Sequence, residues 1–218
     1  MLGNQKNAIW EALLLTIVVF IFGIFLGMAF EDSKFNEINE YYSQSELSLM
    51  DVIALNNLLD LKSSDCNLLI KSNTEFADKI YAEATLLEKY ESSGKITSTL
   101  KIAHKKYDLL RTFLWINSIK IKDKCPKNYS FVVYLYEYEQ KDLTQKAKQG
   151  VWSNVLFDLK QEEGNKIILI PIAVDSNLTS LNSIVSKFNI SEFPVIIINN
   201  KDVITELSTT NQLKKYLS

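Results

Sequence analysis

The sequence predicts a membrane-anchored protein in which an antiparallel helical hairpin leads into an α/β domain. Three observations carry that reading. An apolar run lies near the N-terminus, two cysteines sit almost symmetrically about a turn signal, and β-rich segments alternate with helical ones after Pro126. The divisions fall at residues 1–30, 31–126 and 127–218.

The run Ala12 to Phe30 is uncharged and apolar, and Ile9 and Trp10 extend it. Such a stretch, at about 1.5 Å per residue, spans roughly the 30 Å of a bilayer hydrocarbon core. Trp10 suits an interface. Lys6 and the α-amino group precede the run while Glu31 and Asp32 follow it, which favours a cytoplasmic N-terminus and an extracytoplasmic remainder, with Glu11 acting against. The competing reading is a cleaved signal peptide, for which Gly27-Met28-Ala29 supplies small residues; the run is longer than the usual h-region of roughly 7–15 residues. Gly23 and Gly27 form a G-x-x-x-G spacing that would let two anchors approach as a homodimer.

Composition limits the partners. At 218 residues the chain has a net charge of −2, and Arg111 is its only arginine, so nothing favours nucleic acid. His104 is the only histidine, so neither a His-based metal cluster nor a Ser-His-Asp triad can be assembled, and it is expected on a helix surface. No P-loop, G-x-G-x-x-G or EF-hand spacing occurs, and no cofactor is expected.

Residues 31 to about 124 read as helical, with no proline in the stretch. Ser43-Gln44-Ser45-Glu46 offers a capping box and predicts a short helix carrying Leu47, Met50, Ile53, Ala54, Leu55 and Leu58, separate from the turns around Phe35, Ile38, Tyr41 and Tyr42. The next helix starts near Ser63 or Ser64, with Phe76, Ile80, Ala84 and Leu87 as its apolar stripe. Ser92-Ser93-Gly94 marks the turn, and Thr97 or Ser98 caps a helix bearing Leu100, Ala103, Tyr107, Leu110, Leu114 and Ile121. Cys66 lies about 28 residues before Gly94 and Cys125 about 31 after it. Antiparallel helices of that length, roughly 42–46 Å, bring both thiols to the open end of the hairpin. A Cys66–Cys125 disulfide would persist outside the cytoplasm; two buried free thiols are the alternative.

After Pro126 the pattern changes. Phe131 to Tyr136 is a β-rich run, Leu143 to Glu162 is helical, and Ile167 to Val174 is a second apolar run. A helix with Leu178, Leu181, Ile184, Val185 and Phe188 leads into Phe193-Pro194-Val195. A strand from Val195 to Ile198 breaks at Asn199-Asn200, another follows over Asp202 to Leu207, and Asn211 to Leu217 closes the chain as a helix.

The order β-α-β-α-β-β-α, with Phe193-Pro194-Val195 opening its hairpin, resembles the thioredoxin fold over about residues 129–218. The element order itself predicts parallel strands linked by helices and then a hairpin; the resemblance implies a cis Pro194 and a groove at Phe193, Pro194 and Val195 that accepts extended peptide. It also resembles small archaeal membrane proteins with an anchor, a helical hairpin and a thioredoxin domain, in which Cys-x-x-Cys is followed closely by Gln-Gly. Gln149-Gly150 would be the remnant here. The cysteine pair itself is missing: the region reads Glu137 to Thr144, and its acidic residues disfavour a thiolate.

The function expected is therefore a membrane-tethered, extracytoplasmic, non-redox module that binds or scaffolds an unidentified protein, or an accessory subunit of a membrane or cell-surface assembly. The alternative is a thiol-disulfide oxidoreductase using Cys66 and Cys125, which lie outside any Cys-x-x-Cys context. Asn128, Asn177 and Asn189 head three glycosylation sequons.

Overall fold

A computed structural model describes residues 2–59, 65–91, 98–125, 129–190 and 192–217. The expected turn at Ser92-Ser93-Gly94, the caps Ser63, Ser64 and Thr97, and the sequon residue Asn128 lie outside these residues. The chain divides into two compact units, Met1–Ser43 and Gln44–Ser218.

Helix α1 spans Leu2–Leu59. Within it Trp10–Ala29 is long and apolar enough to cross a membrane, and its side chains are exposed throughout. The separate helix expected from the capping box at Ser43 is not present: Ser43 to Glu46 lies inside α1. A capping box satisfies orphan amides only where the chain has already left the helix. No glycine or proline between residues 31 and 59 forces it out.

In the second unit, helices α2 (Cys66–Glu91) and α3 (Ser98–Lys124) pack on one another. Asp65 opens α2, its Oδ1 accepting from the amides of Asn67 and Leu68. The expected stripes are buried, with Phe76, Ile80 and Leu87 on α2 and Leu100, Ala103, Tyr107, Leu110, Leu114 and Ile121 on α3. The hairpin's open end carries the Cys66–Cys125 disulfide.

The sheet holds β1 (Ser130–Tyr136), β2 (Ile167–Ala173), β3 (Val195–Ile198) and β4 (Asp202–Ile204) in the order β2-β1-β3-β4. β1 and β2 are parallel, as expected; β3, expected parallel to them through its linking helix, instead runs antiparallel to β1, and it pairs antiparallel with β4 as the expected hairpin. Asn199 and Asn200 both take left-handed backbone at φ 52° and 58°, and the amide of Lys201 donates to the Ile198 carbonyl, closing the β3–β4 hairpin. Primed turns require that conformation, and asparagine tolerates it.

Helix α4 (Leu143–Glu163) and the short α6 (Thr210–Leu213) cover one face of the sheet, where Trp152, Leu156, Leu159 and Leu213 meet Val132, Tyr134, Ile167, Ile196 and Ile198. The alternate residues Phe131, Val133, Leu135, Ile168, Ile170, Val195 and Ile197 are equally buried, on the other face. There α3 packs on β2 and β1, α2 packs on β2, and α5 (Thr179–Val185) packs on α3. The hairpin expected to stand apart over residues 31–126 thus supplies, from Gln44 onward, part of the compact unit that holds the sheet. Sheet strands buried on both faces read as continuous apolar runs, and β1 and β3 do.

Candidate functional site

The backbone turns sharply where β1 ends, and the side chains around that turn define the candidate site. Gln149 of α4 reaches back to Glu137: its Oε1 accepts from the Glu137 amide at 3.0 Å and its Nε2 donates to the Glu137 carbonyl at 3.1 Å. Asp175, in the 3-10 turn after β2, accepts from the amides of Tyr138 (2.9 Å) and Glu139 (2.8 Å). Asp142 caps α4 by accepting from the Thr144 and Gln145 amides. The amides at a helix N-terminus, which elsewhere hold an anion or stabilise a thiolate, are here satisfied by the chain's own carboxylates.

Helix α3 closes over the same loop. Lys101 forms an ion pair with Glu139. The His104 ring lies 3.9 Å from that of Tyr138, and Lys105 donates to the Asn177 carbonyl at 3.5 Å. His104 is buried, with Nδ1 3.1 Å from Asp108 Oδ2 and Nε2 3.5 Å from the Tyr136 hydroxyl. This corrects the surface position expected for His104. The physical reason is that α3 is sandwiched between α2 and the sheet and so buries two stripes. The second stripe, His104, Asp108, Arg111, Trp115 and Ser118, contains mostly polar residues and so escapes a hydrophobicity reading.

Asp108 is fully buried. Its Oδ1 accepts from the Ala173 amide at 3.1 Å, at the end of β2, and lies 3.7 Å from the Arg111 guanidinium. A buried carboxylate needs such compensation. From sequence Gln149 is expected only as the remnant of a motif and His104 only at a helix surface, while Asp108, Arg111 and Asp175 are not expected at the site. The i, i+4, i+7 spacing of His104, Asp108 and Arg111 along one helix face is the signal that could have found them.

The residues singled out from sequence are distributed as follows. The Phe193–Pro194 peptide is cis. Leu135–Val195 is the last β1–β3 pair, so Pro194 falls beside Tyr136. Phe193 is half-buried, whereas Pro194 and Val195 are fully buried, so Phe193 alone of the three offers side-chain surface. Gly150 follows Gln149 on the exposed face of α4. Asn177 and Asn189 are exposed with left-handed backbone. Gly23 and Gly27 face open space along the apolar span.

The cysteines are elsewhere. About 30 Å of helix separates His104 from Cys125 along α3. Cys125 is buried and Cys66 half-buried. Two turns inside the bond, Asn73 Nδ2 donates to the Tyr129 hydroxyl at 2.6 Å and to Ser118 Oγ at 3.1 Å, and Tyr129 donates to Ser118 at 2.9 Å. Burial pushes the Tyr129 hydroxyl up to about 12 against the pull of those hydrogen bonds. Lys122, whose ammonium donates to the Tyr129 carbonyl, is lowered by the same desolvation.

Among the described residues, no group of three or more His, Cys, Asp or Glu side chains is placed to hold a metal ion. No family model, curated protein or solved structure matches the chain.

Proposed function

We propose that this chain is a membrane-tethered, thioredoxin-like module that binds or scaffolds other proteins outside the cytoplasm, as a free tether or an accessory subunit of a membrane assembly, without dithiol chemistry. The sheet order β2-β1-β3-β4, the antiparallel β3 and the cis Phe193–Pro194 bond beside β1 support the thioredoxin-like reading. The apolar span Trp10–Ala29 supports the tether, and Lys6 before it with Glu31 and Asp32 after it support a cytoplasmic N-terminus.

One observation carries the non-redox reading. The only two cysteines are bonded to each other at the open end of the hairpin, and the loop after β1 has carboxylates and amides in their place. A dithiol enzyme pairs an accessible, low-pKa thiolate with a second cysteine in a Cys-x-x-Cys context; Cys66 opens α2, but its partner Cys125 is buried and 59 positions away in sequence. The edge beside Pro194, with Tyr136, Tyr138 and Phe193, would present aromatic surface and strand-end backbone to an extended segment of a partner.

Two measurements test this. In an insulin-reduction assay the purified full chain is expected to show no turnover above that of its Cys66→Ser/Cys125→Ser variant; robust turnover by the native chain alone would reinstate an oxidoreductase. Purification from native membranes under non-reducing conditions is expected to bring down a stoichiometric protein partner, lost when Phe193 is changed to Asp. A chain that emerges alone, with or without crosslinker, would leave the binding role unsupported.

A further inference from the structure

Helix α3 is held very differently at its two ends. Its C-terminal half is fixed by the disulfide at Cys125, by fully buried Trp115 and by the Asn73–Ser118–Tyr129 hydrogen bonds. Its first turns carry exposed Lys101, Ile102 and Lys105, and their buried residues Leu100, Ala103 and His104 keep 8–9% of their surface exposed, against 0–2% for Leu110, Leu114, Trp115 and Ile121 further along. Their contacts with the loops after β1 and β2 include the Lys101–Glu139 pair, the His104–Tyr138 ring contact and the Lys105–Asn177 hydrogen bond. Exposed ion pairs and long lysine reaches hold weakly, and local opening begins where burial is shallowest. Asp108, fully buried and bonded to the Ala173 amide, marks where the firmly held part of the helix begins.

We propose that the first two turns of α3, about residues 98–106, form a latch that opens independently of the rest of the molecule and uncovers Tyr136 and Tyr138 at the end of β1. Asp108 is the fixed point and Lys101, His104 and Lys105 are the removable contacts. This rests on the reading of the Pro194 edge as the binding site, which the closed latch overlies at Tyr136 and Tyr138. An incoming extended segment would then displace the α3 turns, so the site regulates its own access. The disulfide confines the motion to the turn end of the hairpin, because it prevents the two helices from separating at the other.

Hydrogen exchange on the full chain in detergent micelles, resolved by peptide, tests the latch without any partner. Residues 102–106, whose amides bond within the helix, are expected to exchange about tenfold faster than residues 110–121 of the same helix. Lys101→Ala/Lys105→Ala should speed the first segment a further few-fold and leave the second unchanged. His104→Ala should act more strongly; if that variant fails to fold, the exposed double-lysine variant decides. Equal exchange along α3, or acceleration of both segments together, would overturn the latch and leave the tether reading standing. A latch that opens as described in a chain that captures no partner would instead count against the tether reading alone.

Discussion

Asp108 is the residue on which the arrangement at the sheet's end most depends. It sits fully buried between His104, Arg111 and the amide of Ala173. Replacing it by alanine leaves the guanidinium and the β2 amide buried without their acceptor, which costs about 3 kcal/mol. Asp108→Asn keeps an acceptor for Ala173 and should cost about half as much. Urea unfolding of the two variants in micelles, followed by tryptophan fluorescence, gives the comparison; equal losses would mean that the charge rather than the shape matters there. Tyr129 makes a second prediction at this scale. The folded chain holds its proton up to about pH 12, whereas the unfolded chain releases it near 10. The linked stability is therefore intact below pH 10 and is lost as pH climbs from 10 towards 12. Its full size is about 3 kcal/mol, by the factor of 1.36 kcal/mol per pH unit. Tyr134 is raised in the same direction by burial and adds to the slope. Tyr129→Phe is expected to flatten the alkaline limb of a stability–pH profile while lowering the plateau by about 1–2 kcal/mol through the lost partner of Asn73 and Ser118. A profile unchanged in shape would show that Tyr129 is not held protonated by the fold. Neither residue was legible as structural from sequence: Asp108 is a polar member of a helix stripe and gives no hydrophobic signal, Tyr129 stands just before β1 where no helical period applies, and only the contacts reveal that they are satisfied.

At the scale of elements the hairpin was the most legible feature. Antiparallel helices either side of one turn force residues at equal chain distance from it to the same end, so two cysteines sufficed to set the register of α2 against α3. The strands were legible for a different reason. β1 and β3 are buried on both faces, and apart from Ser130 and Leu135 every position holds a β-branched or aromatic residue. What the pattern hid was the start of a helix inside a longer one at Ser43, because a cap motif carries no information about whether the chain has turned. It also hid the second buried face of α3, because the sheet it packs on is remote in sequence. The bond itself closes a loop with a sequence separation of 59 residues. In the chain-entropy model that is worth about 4 kcal/mol, acting by restricting the unfolded chain. Cys66→Ser, Cys125→Ser and the double variant should therefore lose stability by nearly the same amount, since each removes one and the same bond. Denaturant midpoints of the three, measured with and without reductant, provide the check. A double variant much weaker than either single one would mean that the thiols contribute chiefly by packing.

For the whole molecule, the decisive element is the apolar span. Trp10–Ala29 contains twelve Leu, Ile, Val and Phe residues. At about −0.3 to −0.6 kcal/mol each, they favour insertion by about 5 kcal/mol, from which Glu11 and the glycines subtract. An aspartate near the middle opposes insertion by about 3 kcal/mol. One such change, Val19→Asp, should thus leave a mixed population, and two, Val19→Asp with Phe22→Asp, should abolish insertion. The sequons supply the reporter, because Asn177 and Asn189 are exposed in the second unit and take sugar only if that unit reaches a glycosylating lumen. Translation into microsomes should therefore shift the mass of the native chain, shift only part of the single variant, and leave the double variant unmodified and extractable by carbonate. Removing Lys6 should reduce the shifted fraction, since that positive charge biases the orientation. A native chain that resists carbonate yet gains no sugar would place the sheet, the latch and the Pro194 edge in the cytoplasm, where the Cys66–Cys125 bond would have to survive reduction.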